Sequence, residues 1–281
     1  MTRIAVVAMG EMGAGVARRL VERGAQVFTS LAGRSGASAE RARAAGVTVM
    51  DDNALIETDL FLSIVPPAVA GATAERFLPL IAKAGKKPVY IDCNAIAPQT
   101  VNAIAKRFVD LKLPFVDVGI IGAPPRRDGS SPKFYMSGPI TTEADTLKQL
   151  GLDTRVLSNN LGDASALKMS YAGITKGFQA LGSAMALGAG RNGAAESLIA
   201  ELKDSQPQLY GWLCRMLPFM YDKAYRWDGE MREIAKFLLP EQGASNMLSG
   251  AADLYEHIAA ANREGAQSEI MSKLNRFIGK S

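Results

Sequence analysis

The sequence predicts an α/β fold in which a doubly wound parallel sheet is followed by an all-helical domain. Short apolar runs rich in β-branched residues alternate with helical patterns through residues 1–160, which is typical of βαβ units. A glycine-rich turn follows the first of these runs. After residue 161 the alternation stops, and the remaining apolar residues recur with the helical period.

Six strands are predicted in the first domain, which we place at residues 1–161. Each is a short apolar run bounded by glycine, proline or polar residues. Pro98 is expected to open one intervening helix, and Gly24 and Gly46 to end two others. The strands are predicted at residues 4–8, 26–30, 60–65, 89–92, 115–119 and 133–137.

The second domain, residues 162–281, is predicted to begin with a long helix at the domain boundary. Its apolar residues recur at steps of three and four and form one stripe. The same helix holds four glycines, each costing about 1 kcal/mol relative to alanine, so neighbouring helices are expected to pack closely against it. The stripe consists of Ala164, Leu167, Tyr171, Ile174, Phe178, Leu181 and Met185, and the glycines are Gly173, Gly177, Gly182 and Gly188.

The charge distribution points to a small anionic ligand in the first domain. The net charge is +4, and residues 1–160 hold 19 Lys and Arg against 15 Asp and Glu, whereas the rest of the chain is balanced. Basic residues occur in pairs without interleaved aromatic residues, so nucleic-acid binding is not expected.

Several other classes of protein are disfavoured. Cys93 and Cys214 match neither a disulfide framework nor a metal-binding spacing, and the single histidine, His257, has no ligand cluster around it. The chain lacks the G-x-S-x-G and P-loop motifs. It also lacks a secretion signal and a membrane-spanning run. We therefore expect a cytoplasmic protein without a metal, and a helical His257 that faces solvent or a partner; the alternative for His257 is a role in the substrate pocket.

The segment "VVAMGEMGAGVARRL" resembles a dinucleotide-binding fingerprint, G-x-G-x-x-G, with alanine at the first glycine position. The second glycine lets the backbone approach a pyrophosphate, and the third allows close packing of helix on strand. Free amides at the helix start attract phosphate. The alternative is an ordinary glycine-rich turn. The expected cofactor-binding residues are Ala8, Met9, Gly10, Glu11, Met12 and Gly13.

The second predicted strand indicates which cofactor is bound. An NAD site usually has an acid about 20 residues beyond the glycines, but "QVFTSLAGRSG" contains none and has Arg34 and Ser35 instead. A guanidinium and a hydroxyl suit the 2′-phosphate of NADP(H). Arg41 or Arg43 on the following helix would assist. The alternative for Arg34 is a solvated loop charge.

Over nearly its whole length the sequence resembles the 6-phosphogluconate dehydrogenase-like superfamily, which includes β-hydroxyacid dehydrogenases and imine reductases. The resemblance rests on "AMGEMGAGVARRL", "VDVGIIGAP" and "GDASALKMSYAG". The segment "EMREIAKFLLPEQGAS" resembles a branch with a phosphogluconate-dehydrogenase-like helical domain of unassigned activity. The resemblance implies an oxidoreductase with its active site between the domains, and a homodimer formed through the long helix.

The resemblance makes Lys168 the catalytic candidate, as general acid and base for a hydroxyl or carbonyl group. Partial burial just off the apolar stripe would suit it to proton transfer, while the alternative is a plain surface lysine. The family asparagine four residues later is replaced by Ala172, and Tyr171 or Thr175 is expected to substitute for it. Imine reductases commonly lack the lysine, so a hydroxy acid or alcohol is the favoured substrate.

The remaining site residues are also implied by family position. The substrate loop is Gly119, Ile120, Ile121 and Gly122, in which Ile121 replaces the usual serine, with Arg126 or Arg127 as an alternative anion contact. The cofactor is expected to touch Val65, Pro66, Pro67, Asn94 and Arg232.

Together these observations predict an NADPH-preferring oxidoreductase that acts on a small, anionic substrate. An imine reductase and a non-catalytic NADP(H)-binding sensor are the alternatives.

Overall fold

The computed structural model describes residues 1–140 and 142–280. It divides the chain into two compact units, Met1–Met169 and Ser170–Ser281. A long helix, α7 (Asp163–Arg191), begins in the first unit and continues into the second. The division therefore falls inside α7, a few residues after the boundary that the sequence pattern suggests.

The first unit contains one sheet of eight strands in the order β3-β2-β1-β4-β5-β6-β7-β8. Neighbouring strands are parallel except for β6 and β7, which are antiparallel. This confirms the expected α/β class with a predominantly parallel sheet. The strands are β1 (Arg3–Val7), β2 (Gln26–Thr29), β3 (Thr48–Val49), β4 (Leu60–Ser63), β5 (Val89–Asp92), β6 (Phe115–Ile121), β7 (Lys133–Ser137) and β8 (Asp153–Ser158).

The six predicted strands are all present, and the sequence pattern missed β3 and β8. Strand β3 has only two residues, and both are exposed. Strand β8 lies at the sheet edge, and Arg155, Val156 and Leu157 in it are exposed. Neither segment therefore has the buried apolar run on which strand prediction depends.

Helices cover both faces of the sheet and form two hydrophobic cores. Alternate residues of β1 point to opposite faces: Ile4 and Val6 belong to one core, and Ala5 and Val7 to the other. The helices are α1 (Glu11–Glu22), α2 (Gly36–Ala44), α3 (Asp52–Leu55), α4 (Ala70–Lys83), α5 (Pro98–Asp110) and α6 (Glu143–Gln149). Gly24 and Gly46, which have positive φ angles, follow α1 and α2 as expected.

The described part of the second unit is helical, which confirms the predicted change of architecture. Besides α7 it contains α8 (Ala195–Ser205), α9 (Pro207–Tyr221), α10 (Ala224–Phe237), α11 (Gln242–Glu264) and α12 (Glu269–Phe277). Among the described residues, no helix combines the length and the hydropathy needed to cross a bilayer.

The glycines of α7 lie where neighbouring helices approach. A Cβ built on Gly182 would lie 2.6 Å from a methyl group of Leu213 on α9, and one on Gly173 would lie 3.2 Å from Ile234 on α10. These approaches agree with the close packing that the sequence predicts. Gly188 is different, because the space around it is open.

The apolar stripe of α7 is mostly uncovered. Within the single chain, five of its members are exposed over half or more of their surface, whereas Ala164 at its start is fully buried. A periodic apolar face of this kind normally packs against another surface. The exposed members are Tyr171, Ile174, Phe178, Leu181 and Met185.

Candidate cofactor and catalytic site

The candidate site lies at the carboxyl edge of the sheet in the first unit. Strands β1, β4, β5 and β6 are mutually parallel in spatial order, so their carboxyl ends share one edge. The order of the strands reverses between β1 and β4, which makes this point the topological switch where open α/β sheets bind ligands. The glycine-rich turn after β1 stands at that switch.

The turn accommodates its alanine and requires its last glycine. Ala8 is not among the residues with positive φ, so this position does not need the conformational freedom of glycine. A Cβ on Gly13, in contrast, would lie 1.9 Å from the Ala8 carbonyl oxygen. The third fingerprint glycine is therefore essential for the helix to approach the strand, while the first is dispensable here.

The start of α1 fits the diphosphate of a dinucleotide. No side chain caps this helix, and the Cβ position of Gly10 has open space within 4 Å. An uncapped helix start with free space in front of it is suited to phosphate. The donor set and the space around Met9 to Met12 thus fit an NAD(P) cofactor.

The turn after β2 presents arginine where an NAD site would present an acid. Arg34 is partly exposed, and among the described residues its guanidinium has no hydrogen-bond or ion-pair partner. Ser35 caps α2 by accepting a hydrogen bond of 3.4 Å from the Ser38 amide. Both residues therefore lie together at the start of α2, as the sequence predicts.

One acid does approach this turn, from the start of α3, but Arg76 binds it. The Arg76 guanidinium donates to both carboxylate oxygens of Asp52, at 2.6 and 2.7 Å, and also to Ser30 Oγ at 3.4 Å. Burial works to raise the pKa of Asp52, but the hydrogen bonds from Arg76 and Ser30 hold it below its ordinary value. The negative charge is thus paired at the site.

The two helix arginines after this turn have different surroundings. Arg41 Nε donates to the Met9 carbonyl oxygen at 2.7 Å, and Arg41 Nη2 donates to Ser38 Oγ at 3.4 Å. Arg43 instead forms an exposed ion pair with Glu40. Of these two arginines, Arg41 is therefore the one that connects α2 to the glycine-rich turn.

Asn94, after β5, is buried and organises the end of β4. Its side-chain oxygen accepts from the Val65 amide at 2.7 Å, and its Nδ2 donates to Ser63 Oγ at 3.1 Å. These bonds hold the start of the Val65-Pro66-Pro67 turn. Contact between these residues and a nicotinamide remains a prediction.

Two buried carboxyl groups lie side by side on β5 and β6. Asp92 and Asp117 are register partners on adjacent strands, and both are fully buried. Burial, reinforced by the charge of Asp117, raises the pKa of Asp92 to about 7. Asp92 Oδ1 accepts from the Asn94 amide at 3.0 Å, while its Oδ2 has no hydrogen-bond partner.

Asp117 anchors the start of α7. Its Oδ2 accepts hydrogen bonds from the amides of Gly162 and Ser165, at 3.2 and 3.0 Å, and from Ser137 Oγ at 3.1 Å. Its Oδ1 accepts from Ser165 Oγ at 2.7 Å. Burial raises the pKa of Asp117, although these hydrogen bonds work in the opposite direction. Sequence motifs did not single out Asp117, although an acid inside an apolar strand signals a buried polar role.

Gly119 fixes the position of Lys168 relative to the sheet. A Cβ on Gly119 would lie 2.5 Å from the Ala164 carbonyl oxygen and 3.0 Å from Lys168 Cβ. Helix α7 therefore packs directly on the backbone of β6, and the half-buried Lys168 starts beside the carboxyl end of that strand. Gly119 and Lys168, two predicted site residues, are thus neighbours within the first unit.

The other predicted residues of α7 belong to the second unit. Ala172 is buried, and Tyr171 is half exposed. Thr175 donates its hydroxyl hydrogen bond to the Tyr171 carbonyl oxygen at 2.9 Å. Whether Tyr171 or Thr175 replaces the missing asparagine remains a prediction.

The loop after β6 is attached to α1. The buried Arg19 guanidinium donates to the carbonyl oxygens of Arg126, at 2.7 Å, and of Gly151, at 3.2 Å. Arg18 donates to the Pro125 carbonyl oxygen at 2.7 Å. The side chains of Arg126 and Arg127 are exposed. An anion contact by Arg126 or Arg127 remains a prediction. The same holds for the role of Ile120, Ile121 and Gly122 in the substrate loop.

In the second unit, Arg232 has two acidic partners. Its Nη2 lies 2.7 Å from Glu256 and 3.1 Å from Asp253 on α11. Contact between Arg232 and a cofactor remains a prediction. His257 is exposed on the same helix.

The described residues contain no group of three or more His, Cys, Asp or Glu that could hold a metal ion. Both Cys93 and Cys214 are free thiols.

Comparison with known families agrees with this geometry. Residues 3–140 match the NAD-binding domain of 6-phosphogluconate dehydrogenase, and residues 189–258 match a domain of unknown function, DUF1932. The sheet, the switch point and the glycine-rich turn define a dinucleotide-binding protein. More particularly, the chain combines an NAD-binding domain of the 6-phosphogluconate dehydrogenase type with a DUF1932 domain.

Individual relatives extend over most of the chain. An uncharacterised 28.5 kDa protein of Methanothermus fervidus is 26% identical over 91% of this chain and 98% of its own length. A solved protein of unknown function, described as similar to 3-hydroxyacid dehydrogenases, is 29% identical, covers 94% of this chain and 99% of its own, and has a TM-score of 0.69. The 3-hydroxyisobutyrate dehydrogenase of Mycobacterium tuberculosis, solved with L-serine, has a TM-score of 0.70 at 19% identity, covering 98% of this chain and 99% of its own.

Proposed function

We propose that the protein is an NADPH-preferring oxidoreductase that interconverts a hydroxy acid or alcohol and its carbonyl counterpart. The observation that carries the proposal is the packing of Lys168 against Gly119 at the carboxyl end of β6. The Cβ atom of Lys168 thus belongs to the same unit, and lies beside the same sheet edge, as the dinucleotide-binding turn. The similarity to 3-hydroxyacid dehydrogenases supports the substrate class.

In this proposal Lys168 acts as the general acid and base. Its amine takes the hydroxyl proton of the substrate during oxidation and returns a proton to the carbonyl oxygen during reduction. NADP(H), when bound, supplies the hydride chemistry. The Asp117 anchor and the Gly119 contact hold the start of α7, so that Lys168 enters the site from a fixed helix. A small substrate carboxylate would complement the excess of basic residues in the first unit.

Arginine after β2 supports the NADPH preference. Arg34 has its guanidinium available beside Ser35, and Arg76 pairs the nearby Asp52. A phosphate on the 2′ position would therefore meet cations there, whereas the ribose hydroxyls of NAD lack a free carboxylate partner. Titration of the wild-type protein with NADPH and NADH, followed by nicotinamide fluorescence, checks this: NADPH should bind at least tenfold more tightly.

The test of the catalytic proposal is a panel of small hydroxy acids and alcohols with NADP⁺, and of carbonyl compounds and cyclic imines with NADPH. Substitution Lys168→Met should lower kcat by 100-fold or more on a hydroxy acid while cofactor affinity changes little, since proton transfer typically contributes about 10²–10⁴-fold. Lys148→Met, at an exposed position of α6 in the same unit, is the matched control.

Other outcomes of this panel select the alternatives. Turnover of imines that survives Lys168→Met would identify an imine reductase. Tight NADPH binding with no turnover of any compound would favour a non-catalytic sensor.

We also propose that the protein is a homodimer formed through α7. The exposed stripe from Tyr171 to Met185 spans about 21 Å of helix, and beside it lies an apolar groove of about 420 Å³ between α7 and α11. A second copy that packs its own stripe there would bury both faces in a self-complementary contact. This explains why apolar residues with helical spacing are exposed in one chain.

Light scattering coupled to gel filtration tests the dimer. The wild type should have about twice the chain mass of 29.9 kDa, and the double substitution Ile174→Glu, Phe178→Glu should have the mass of one chain. The control Val109→Glu changes an equally exposed apolar residue on α5 and should leave the mass unchanged. A wild type with the mass of one chain would refute the proposal.

A further inference from the structure

One arginine contacts the glycine-rich turn and also points toward the residues that replace the acid of an NAD site. Arg41 Nε donates to the Met9 carbonyl oxygen at 2.7 Å, across a sequence distance of 32 residues. The same guanidinium donates through Nη2 to Ser38 Oγ at 3.4 Å. Ser38 Oγ lies 3.3 Å from Ser35 Oγ, which follows Arg34 directly.

The guanidinium still has donors to offer. Its two contacts are to a neutral carbonyl and a neutral hydroxyl, and among the described residues Arg41 has no carboxylate partner. Its Nη1 group makes no hydrogen bond there either, and the residue is only partly buried. Because the Arg41 guanidinium is planar and its Nε is already hydrogen-bonded, the direction of its two outer amino groups is fixed.

We infer that Arg41 is a cofactor-specificity residue that couples the two phosphate positions of NADP(H). The bond from Nε holds the glycine-rich turn that receives the diphosphate. The outer amino groups of Arg41 bind the 2′-phosphate together with Arg34 and Ser35. This inference rests on the proposed cofactor preference and assigns it to a residue that the sequence pattern did not distinguish from Arg43.

The chain supplies its own matched control. Arg43 lies on the same helix two residues later, carries the same charge, and is paired with Glu40 away from the turn. A general effect of net charge would appear equally in Arg41→Met and Arg43→Met. A specific contact would appear only in Arg41→Met.

The experiment measures binding of NADPH, NADH, 2′,5′-ADP and 5′-AMP by calorimetry to the full-length protein. Arg41→Met should weaken NADPH and 2′,5′-ADP by about 20-fold, as expected for loss of a charged hydrogen bond. NADH and 5′-AMP should weaken by about threefold, through the loss of the bond to Met9. Arg41→Lys, which keeps the charge without the fork, should fall between wild type and Arg41→Met, and Arg43→Met should bind all four within twofold of wild type.

The outcomes separate this inference from the proposed function. Equal weakening of NADPH and NADH by Arg41→Met, or the same loss in Arg43→Met, would overturn the role of Arg41 while leaving the NADPH preference intact. A wild type that binds NADPH no more tightly than NADH would instead refute the preference itself. If circular dichroism shows that Arg41→Met does not fold, Arg41→Lys is used alone. An affinity of Arg41→Lys for 2′,5′-ADP equal to that of the wild type would then refute hydrogen bonding of the Arg41 guanidinium to the 2′-phosphate.

Discussion

The first two turns of α7 and the turns that follow lie in contrasting surroundings. In residues 163–169 the helix is buried at Ala164, Ser165 and Met169, and its start is held by Asp117 and Ser137. From Tyr171 to Met185 one face of the same helix is exposed and apolar.

The contrast agrees with the two purposes proposed for this helix. The proposed general acid and base requires a fixed helix position, and buried hydrogen bonds and backbone contact fix the helix around Lys168. An exposed apolar face requires a partner surface, which is the basis of the proposed dimer. Contact between backbone atoms is intolerant of change, whereas contact between side chains can adjust.

The largest loss of stability is expected from Asp117→Ala, which removes the acceptor that holds the start of α7. Four donors from Gly162, Ser165 and Ser137 would lose their acceptor, and burying such unpaired groups should cost about 4 kcal/mol of stability. Urea unfolding measures this loss, and hydrogen exchange at the Ser165 amide should become faster. Asp110→Ala, which removes an exposed partner of Lys106, should cost less than about 0.5 kcal/mol. A loss below 1 kcal/mol for Asp117→Ala would contradict the anchoring role.

A pair of glycine substitutions compares the two halves directly. In Gly119→Ala the new methyl group meets the Ala164 carbonyl oxygen at 2.5 Å, so α7 must move away from β6, at a cost of about 2–3 kcal/mol. In Gly182→Ala the methyl group meets the end of the Leu213 side chain at 2.6 Å. That side chain can turn, and the gain in helix propensity should keep the change within about 1 kcal/mol. Thermal unfolding measures both, and equal losses would contradict the distinction.

The third prediction concerns the pH dependence of stability and Asp92, which lies beside Asp117. In the folded protein the pKa of Asp92 is raised to about 7 from its ordinary 3.8, so the native state binds this proton more tightly than the unfolded chain does. Its contribution to stability is fully present below about pH 4 and is lost as the pH rises to about 7. Asp92→Asn should therefore be more stable than wild type at pH 8, by on the order of 2 kcal/mol, with no such advantage at pH 4.

Glu57→Gln, at an exposed carboxyl, is the control for the pH experiment and should leave the pH dependence unchanged. If urea unfolding gives Asp92→Asn the same advantage over wild type at pH 4 and pH 8, the assigned cause is wrong.

Much of the fold could be predicted because hydrophobic periodicity and the positions of glycine and proline determine most of its helices and strands. The strand of residues 89–92 was predicted with its observed bounds, and Pro98 opens α5 as expected. Strands β3 and β8 were missed because pairing with a neighbouring strand, rather than their own residues, makes them strands.

Site prediction divided in the same way. The glycine-rich turn and Arg34 were predicted as site residues from residue type and spacing, and Lys168 from the family resemblance. The anchoring role of Asp117 and the choice of Arg41 over Arg43 could not be predicted, since each depends on a partner at least 20 positions away in the chain.

By itself the sequence determined most of the succession of strands and helices, the glycine-rich turn and the family resemblance, because periodicity and short motifs are properties of neighbouring residues. Only the tertiary structure decided that Gly119 receives Lys168, that Asp117 holds the helix start, that Arg41 rather than Arg43 reaches the turn, and that the stripe of α7 is exposed. These features depend on distances between residues far apart in the chain, and hydrogen bonds and van der Waals contacts act only at short range in space.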